Sequence, residues 1–198
     1  MKKITLLFVL SAMVSMTACK ETKKTDGEDA MTEETEMDDS TEMEETAMAK
    51  EISFDLEPKS DSGATGTVTF EEVDGQVKMT AVLQGLSEGT HAIHIHETGD
   101  CTSPDGKSAG GHWNPTHENH GKWGAAEGYH KGDIGNFEAD ASGNGSISMT
   151  TDEWCIGCED ATKNIVGKGI IVHQGADDFT SQPSGAAGAR VMCGGIIE

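Results

Sequence analysis

Residues 51–198 predict an all-β domain, an antiparallel sandwich or barrel, from three observations: short alternating segments, glycine-rich turns between them, and no sustained helical period. In a half-buried strand successive side chains point to opposite faces, so apolar residues recur at every second position. Ile52-Ser53-Phe54-Asp55-Leu56 is the first such segment. Thr67-Val68-Thr69-Phe70 and Val77-Lys78-Met79-Thr80-Ala81-Val82-Leu83 flank Asp74-Gly75, a pair suited to a two-residue hairpin turn. His91 to His96, Gly145 to Thr150, Gly169 to His173 and Arg190 to Ile197 supply the later strands. Between His96 and Gly143 the alternation fades and Gly, His, Asp and Asn dominate. A loop of that length inside a compact domain is normally functional.

A chain of 198 residues has room for one such domain plus a tail. It opens with Lys2-Lys3, an apolar run from Ile4 to Val14, then Thr17-Ala18-Cys19, a secretory pattern too short to span a bilayer. Residues 1–18 are therefore expected to be a signal peptide. Cys19 follows directly and resembles the lipobox cysteine of bacterial lipoproteins, although Met16 stands where leucine is usual. From Lys20 to Lys50 there is no Phe, Trp, Tyr, Ile, Leu or Val, so nothing there can offset the entropy of ordering. Residues 19–50 accordingly read as a lipid-anchored, disordered acidic tether. Its Met31, Met37, Met43 and Met48 fit a solvated spacer better than a soft-metal collector. The expected location is the cell envelope, outside the cytoplasm.

Against 14 Lys and Arg stand 35 Asp and Glu, a formal net charge of −21. Nucleic acid and anionic lipid are repelled by that sign, which leaves the N-terminal anchor as the expected membrane contact.

Seven of the eight histidines lie between His91 and His130. His94 and His96, two apart on a strand, project from one face as a pre-aimed ligand pair. His91 points to the opposite face and reads as a packed or hydrogen-bonded structural histidine. Beyond the strand come Glu97-Thr98-Gly99-Asp100-Cys101, Ser108-Ala109-Gly110-Gly111-His112-Trp113-Asn114-Pro115, His120-Gly121, and His130-Lys131-Gly132-Asp133-Ile134-Gly135-Asn136. Val172-His173-Gln174-Gly175-Ala176-Asp177-Asp178 and Gly188-Ala189-Arg190-Val191-Met192-Cys193-Gly194 follow.

In this order the motifs resemble the copper,zinc superoxide dismutases over essentially all of residues 51 to 198. The resemblance implies a Greek-key sandwich or barrel with long metal-binding and substrate-guiding loops, and two cofactors, a copper ion and a zinc ion. Carried over by position, His94, His96, His112 and His173 are the expected copper ligands. His112, His120, His130 and Asp133 are the expected zinc ligands, His112 serving both. Imidazole suits both metals, and one carboxylate completes a closed zinc site. Asp177 resembles the family's carboxylate that receives hydrogen bonds from a histidine on each side, here His94 and His120. The interval from His120 to His130 carries one residue more than in the animal enzymes, and His117 has no counterpart in the pattern and reads as solvated.

Arg190, the single arginine of the chain, matches the guanidinium that guides the anionic substrate, superoxide. Arg190 and His112 are thus the expected catalytic residues. With Cys19 set aside, Cys101, Cys155, Cys158 and Cys193 permit three disulfide pairings in an exported protein. The resemblance implies Cys101–Cys193. For Cys155 and Cys158 a structural disulfide is favoured over an extra metal site or redox activity, and a homodimer is left open. Two functions compete: superoxide disproportionation protecting the envelope, and copper storage or delivery without catalysis. The anion-guiding arginine favours the first.

Overall fold

The computed structural model describes residues 49–197. The expected signal peptide, Cys19 and the tether up to residue 48 lie outside the described residues.

Eight strands form the domain: β1 Lys50–Pro58, β2 Thr65–Val73, β3 Gln76–Gln84, β4 Gly89–His96, β5 Gly135–Ala139, β6 Gly145–Thr151, β7 Gly169–His173 and β8 Arg190–Gly195. All pairings are antiparallel and close into a barrel in the order β1-β2-β3-β6-β5-β4-β7-β8. The chain leaves β3 for β4 across the barrel end and returns through β5 and β6 to lie beside β3, which is a Greek key. Asp74 and Gly75 both take positive φ, 51° and 74°, as the tight β2–β3 hairpin requires.

Two strands differ from the sequence reading. β5 falls inside the stretch expected to be loop, because Gly135-Asn136-Phe137-Glu138-Ala139 has too few apolar residues to stand out. It is held by pairing of Thr90 to Ala92 with Asn136 to Glu138. β8 stops at Gly195, two residues short of the expected end, once its register with Gly169 runs out.

The barrel's two sides are covered differently, and this difference creates the site. In β3 burial alternates strictly, with Val77, Met79, Ala81 and Leu83 in the core and the other face outward. In β4 and β7 both faces are buried. Ile93, Ile95, Ile170 and Val172 point into the core, whereas the outer face carries His94, His96, Ile171 and His173 beneath loops 97–134 and 174–189. Ile95 N donates to Gly132 O at 2.9 Å, Trp113 N to Ile95 O at 2.8 Å and Gly132 N to Trp113 O at 3.0 Å, so both arms of the long loop are tied to β4.

Candidate metal centre

Two groups of ligand atoms converge beneath these loops. One atom from each of His94, His96, His112 and His173 lies within 4.8 Å of the others, and the same holds for His112, His120, His130 and Asp133. All seven residues are buried, and His112 belongs to both groups. His94 and His96 come from β4, His173 from the end of β7, and the remaining four from the long loop.

Buried polar nitrogens are nearly always hydrogen-bonded. Here six are not: His94 Nδ1, His96 Nε2, His112 Nε2, His120 Nδ1, His130 Nδ1 and His173 Nε2. The opposite nitrogen of most of these rings is engaged. His94 Nε2 meets Asp177 Oδ2 at 2.8 Å, His120 Nε2 meets Asp177 Oδ1 at 2.9 Å, and His96 Nδ1 meets Gly110 O at 3.0 Å. One nitrogen anchored outward and one bare and inward is the arrangement of a metal-ligating imidazole. The Asp133 carboxylate lies 2.8, 3.0 and 3.2 Å from Nδ1 of His112, His120 and His130. Donors around one small tetrahedral cation are roughly 3.3 Å apart, so the second group fits a zinc-sized ion and the bare nitrogens of both groups fit metal.

Charge divides the two groups. Burial, reinforced by neighbouring imidazoles, holds His96 and His173 well below the ordinary histidine value, so both are neutral as metal binding demands. Burial brings His112 down to about 4 against an upward pull from Asp133. His120 is also opposed by burial, but the Asp133 and Asp177 carboxylates facing its two ring nitrogens carry it up to about 9. Burial alone would raise Asp133 and Asp177, yet the surrounding imidazoles outweigh it and hold both carboxyls below the usual carboxylate range. Two fixed negative charges therefore stand behind the loop-borne group, where they favour a dication.

A cavity of about 500 Å³ is lined by His96, His112 and His173 of the first group, by His130 of the second and by Arg190. Arg190 Nη1 donates to Gly106 O at 2.8 Å and Nη2 to Gly110 O at 2.7 Å. His117 is exposed, yet it lines this same cavity instead of standing clear of it. His91 is 2% exposed, stacked on Phe137, with Nδ1 2.9 Å from His173 O and Nε2 2.8 Å from Ser87 O.

The cysteines pair as Cys101–Cys193, joining the long loop to β8, and as Cys155–Cys158. Trp154, beside the second pair, donates Nε1 to Lys131 O at 2.8 Å and so reaches the backbone next to His130.

Sequence reasoning missed two residues that hold the site. Gln182 reads the His120 backbone both ways, accepting from its N–H at 2.9 Å and donating to its carbonyl at 2.8 Å. Asn136 does the same for Asp177, at 2.8 Å in each direction. Asn136 ends the motif that begins at His130, whereas Gln182 carries no local signal. A Cβ at Gly185, whose φ is 66°, would strike the Asp177 carboxylate and come within 2.7 Å of His120 Nε2.

Closed antiparallel barrel, paired clusters and shared histidine together define a bimetal protein of the β-barrel class. The family model for copper/zinc superoxide dismutase matches residues 64–196. A Schizosaccharomyces pombe copper-zinc superoxide dismutase is 40% identical over 147 residues, 70% of this chain and 92% of that protein. An extracellular copper-zinc superoxide dismutase of Caenorhabditis elegans is 35% identical over 137 residues, 66% of this chain but only 60% of its own length. The crystal structure of a double mutant of a superoxide dismutase-like protein from Bacillus subtilis is 31% identical, with a TM-score of 0.64, and covers 73% of this chain and 97% of that one. The chain belongs to the copper/zinc superoxide dismutase family, whose cofactors are copper and zinc.

Proposed function

We propose that this chain disproportionates two superoxide anions, with two protons, to dioxygen and hydrogen peroxide. His94, His96, His112 and His173 hold the copper, and His112, His120, His130 and Asp133 the zinc. The observation that carries the reading is the membership of His112 in both buried groups, on the cavity that Arg190 lines. When bound, copper would supply a one-electron redox couple, and zinc, which has no redox chemistry, would supply a fixed positive charge beside His112.

The chain's own residues do the rest. Arg190 is permanently charged and brings the anion into the cavity. His112 Nε2 is the atom that takes up a proton and gives it back, while Nδ1 stays turned toward Asp133. Asp177 receives hydrogen bonds from one histidine of each group and keeps both rings oriented. The loops cover the ligands, all seven of which are buried, and leave the cavity lined by Arg190 as the approach to them.

The storage alternative needs metal affinity but no anion guide, so Arg190 separates the two. Copper and zinc per chain, measured alongside superoxide decay on the purified protein, is the test. One of each metal with accelerated decay supports the enzyme; full metal with no acceleration supports storage.

The proposed location rests on the first residues of the sequence: a signal peptide at 1–18, lipidation at Cys19, a tether from there to the start of β1 at Lys50, and the catalytic domain beyond it, protecting the envelope from superoxide. Cys19→Ser is expected to release activity from the membrane fraction into the soluble exported fraction. Activity that stays with membranes in that variant overturns the anchor.

A further inference from the structure

Lys59 is a buried lysine that the proposed reaction does not use. It is 9% exposed, and lysine is seldom taken out of water without a charged partner. Its carboxylate neighbour, Glu57 Oε2, lies 3.4 Å away on a side chain that is 70% exposed, where an ion pair contributes little. The short contact is instead to a neutral group, the Cys101 carbonyl, to which Lys59 Nζ donates at 2.6 Å.

Around that contact the turn after β1 grips both elements that hold Arg190. Ser60 N donates to Pro104 O at 2.8 Å, on the disulfide-bonded loop. Lys59 N and Ser62 Oγ donate to Val191 O at 2.9 and 2.7 Å, one residue beyond Arg190 in β8. Ser60 and Asp61 both adopt positive φ, 52° and 56°, a conformation that residues with a Cβ keep only when their surroundings over-determine it. Arg190, for its part, has no carboxylate within ion-pair distance among the described residues. Its guanidinium is aimed by the Gly106 and Gly110 carbonyls, so its direction follows the position of loop 101–111.

Resting on the reading of Arg190 as the anion guide, we propose that Lys59 is a positioning residue for Arg190. Its ammonium, seated on the Cys101 carbonyl, sets where the loop lies, and the loop's carbonyls in turn aim the guanidinium into the cavity. The disulfide ties Cys101 to β8 by its side chain, and Lys59 fixes the backbone of the same residue.

The test uses the copper- and zinc-loaded protein with azide as anionic probe, its dissociation constant read from the visible absorption of the copper. Arg190→Ala is expected to weaken azide binding on the order of tenfold by removing the local positive field. Lys59→Met is expected to weaken it about threefold or more, the lower range for residues coupled in one hydrogen-bond network. The azide-free copper spectrum stays unchanged, Lys59→Arg restores affinity, and Lys59→Met adds nothing in the Arg190→Ala background. If Arg190→Ala weakens azide binding and Lys59→Met does not, the Lys59 inference fails while the anion-guide reading stands. No effect from Arg190→Ala sinks both. Equal losses from Lys59→Met with and without Arg190 would overturn the positioning role. Should Lys59→Met not fold, Lys59→Gln carries the same comparison.

Discussion

The two metal groups are built from different parts of the chain, and their electrostatics differ in step. The proposed copper group takes three of its four histidines from β4 and β7, strands fixed by core packing of Ile93, Ile95, Ile170 and Val172. The proposed zinc group takes every residue from the loop between β4 and β5. Strand-borne imidazoles are pre-aimed by the barrel, and burial holds His96 and His173 well below the ordinary histidine value. Loop-borne ligands have no such frame, and Asp133, Asp177, Gln182 and Asn136 supply one through charge and hydrogen bonds. Rigid scaffolding needs no charge to gather ligands, whereas a loop does.

The largest expected effect separates the groups outright. Asp133→Asn removes the charge that gathers three imidazoles, so zinc affinity is expected to fall by more than the roughly hundredfold typical of losing an outer partner. Copper binding to the strand-borne histidines should persist, and metal titration of each site reads both. Comparable loss of copper would contradict the division.

Asp177→Asn acts one step back, on His94 and His120 together. Zinc affinity is expected to drop roughly tenfold to a hundredfold, with a smaller effect on copper because β4 still places His94. Arg190→Ala leaves both metals bound and lowers kcat/KM for superoxide on the order of tenfold. An unchanged kcat/KM in that variant would remove Arg190 from substrate capture.

The smallest effect is in the stability of the metal-free chain with pH. Below the unfolded histidine value of about 6.5, the unfolded chain binds protons that buried His96, His112 and His173 refuse, so stability falls as pH drops. His120, raised to about 9, contributes stability that is complete below pH 6.5 and is lost as pH climbs from there through about 9. Melting temperature is therefore expected to peak near pH 6.5, with the alkaline decline removed by His120→Gln. A steady rise from pH 6 to 9 would contradict the assignment.

Legibility in the sequence followed the same division. Strands whose apolar residues alternate, such as Val77 to Leu83, were readable from period alone, and β5 was not, because its short glycine-led segment gains its place from pairing with β4. The His94–His96 pair could be read from strand geometry. His112, His120, His130 and Asp133 were assigned by resemblance, since no local rule says how a long loop folds back. Gln182 and Lys59 were invisible because each acts on a backbone carbonyl or amide far along the chain, and such partners leave no pattern in side-chain identity.

His112, common to both buried groups, is proposed to ligate both metals at once. Copper bound to the strand-borne group gives an electronic and magnetic-resonance spectrum that reports its ligands, and zinc can be added afterwards. Addition of zinc is predicted to change the copper spectrum in the unmodified protein and to leave it unchanged in His112→Ala. A copper spectrum indifferent to zinc in the unmodified protein, with both metals bound, would contradict the account.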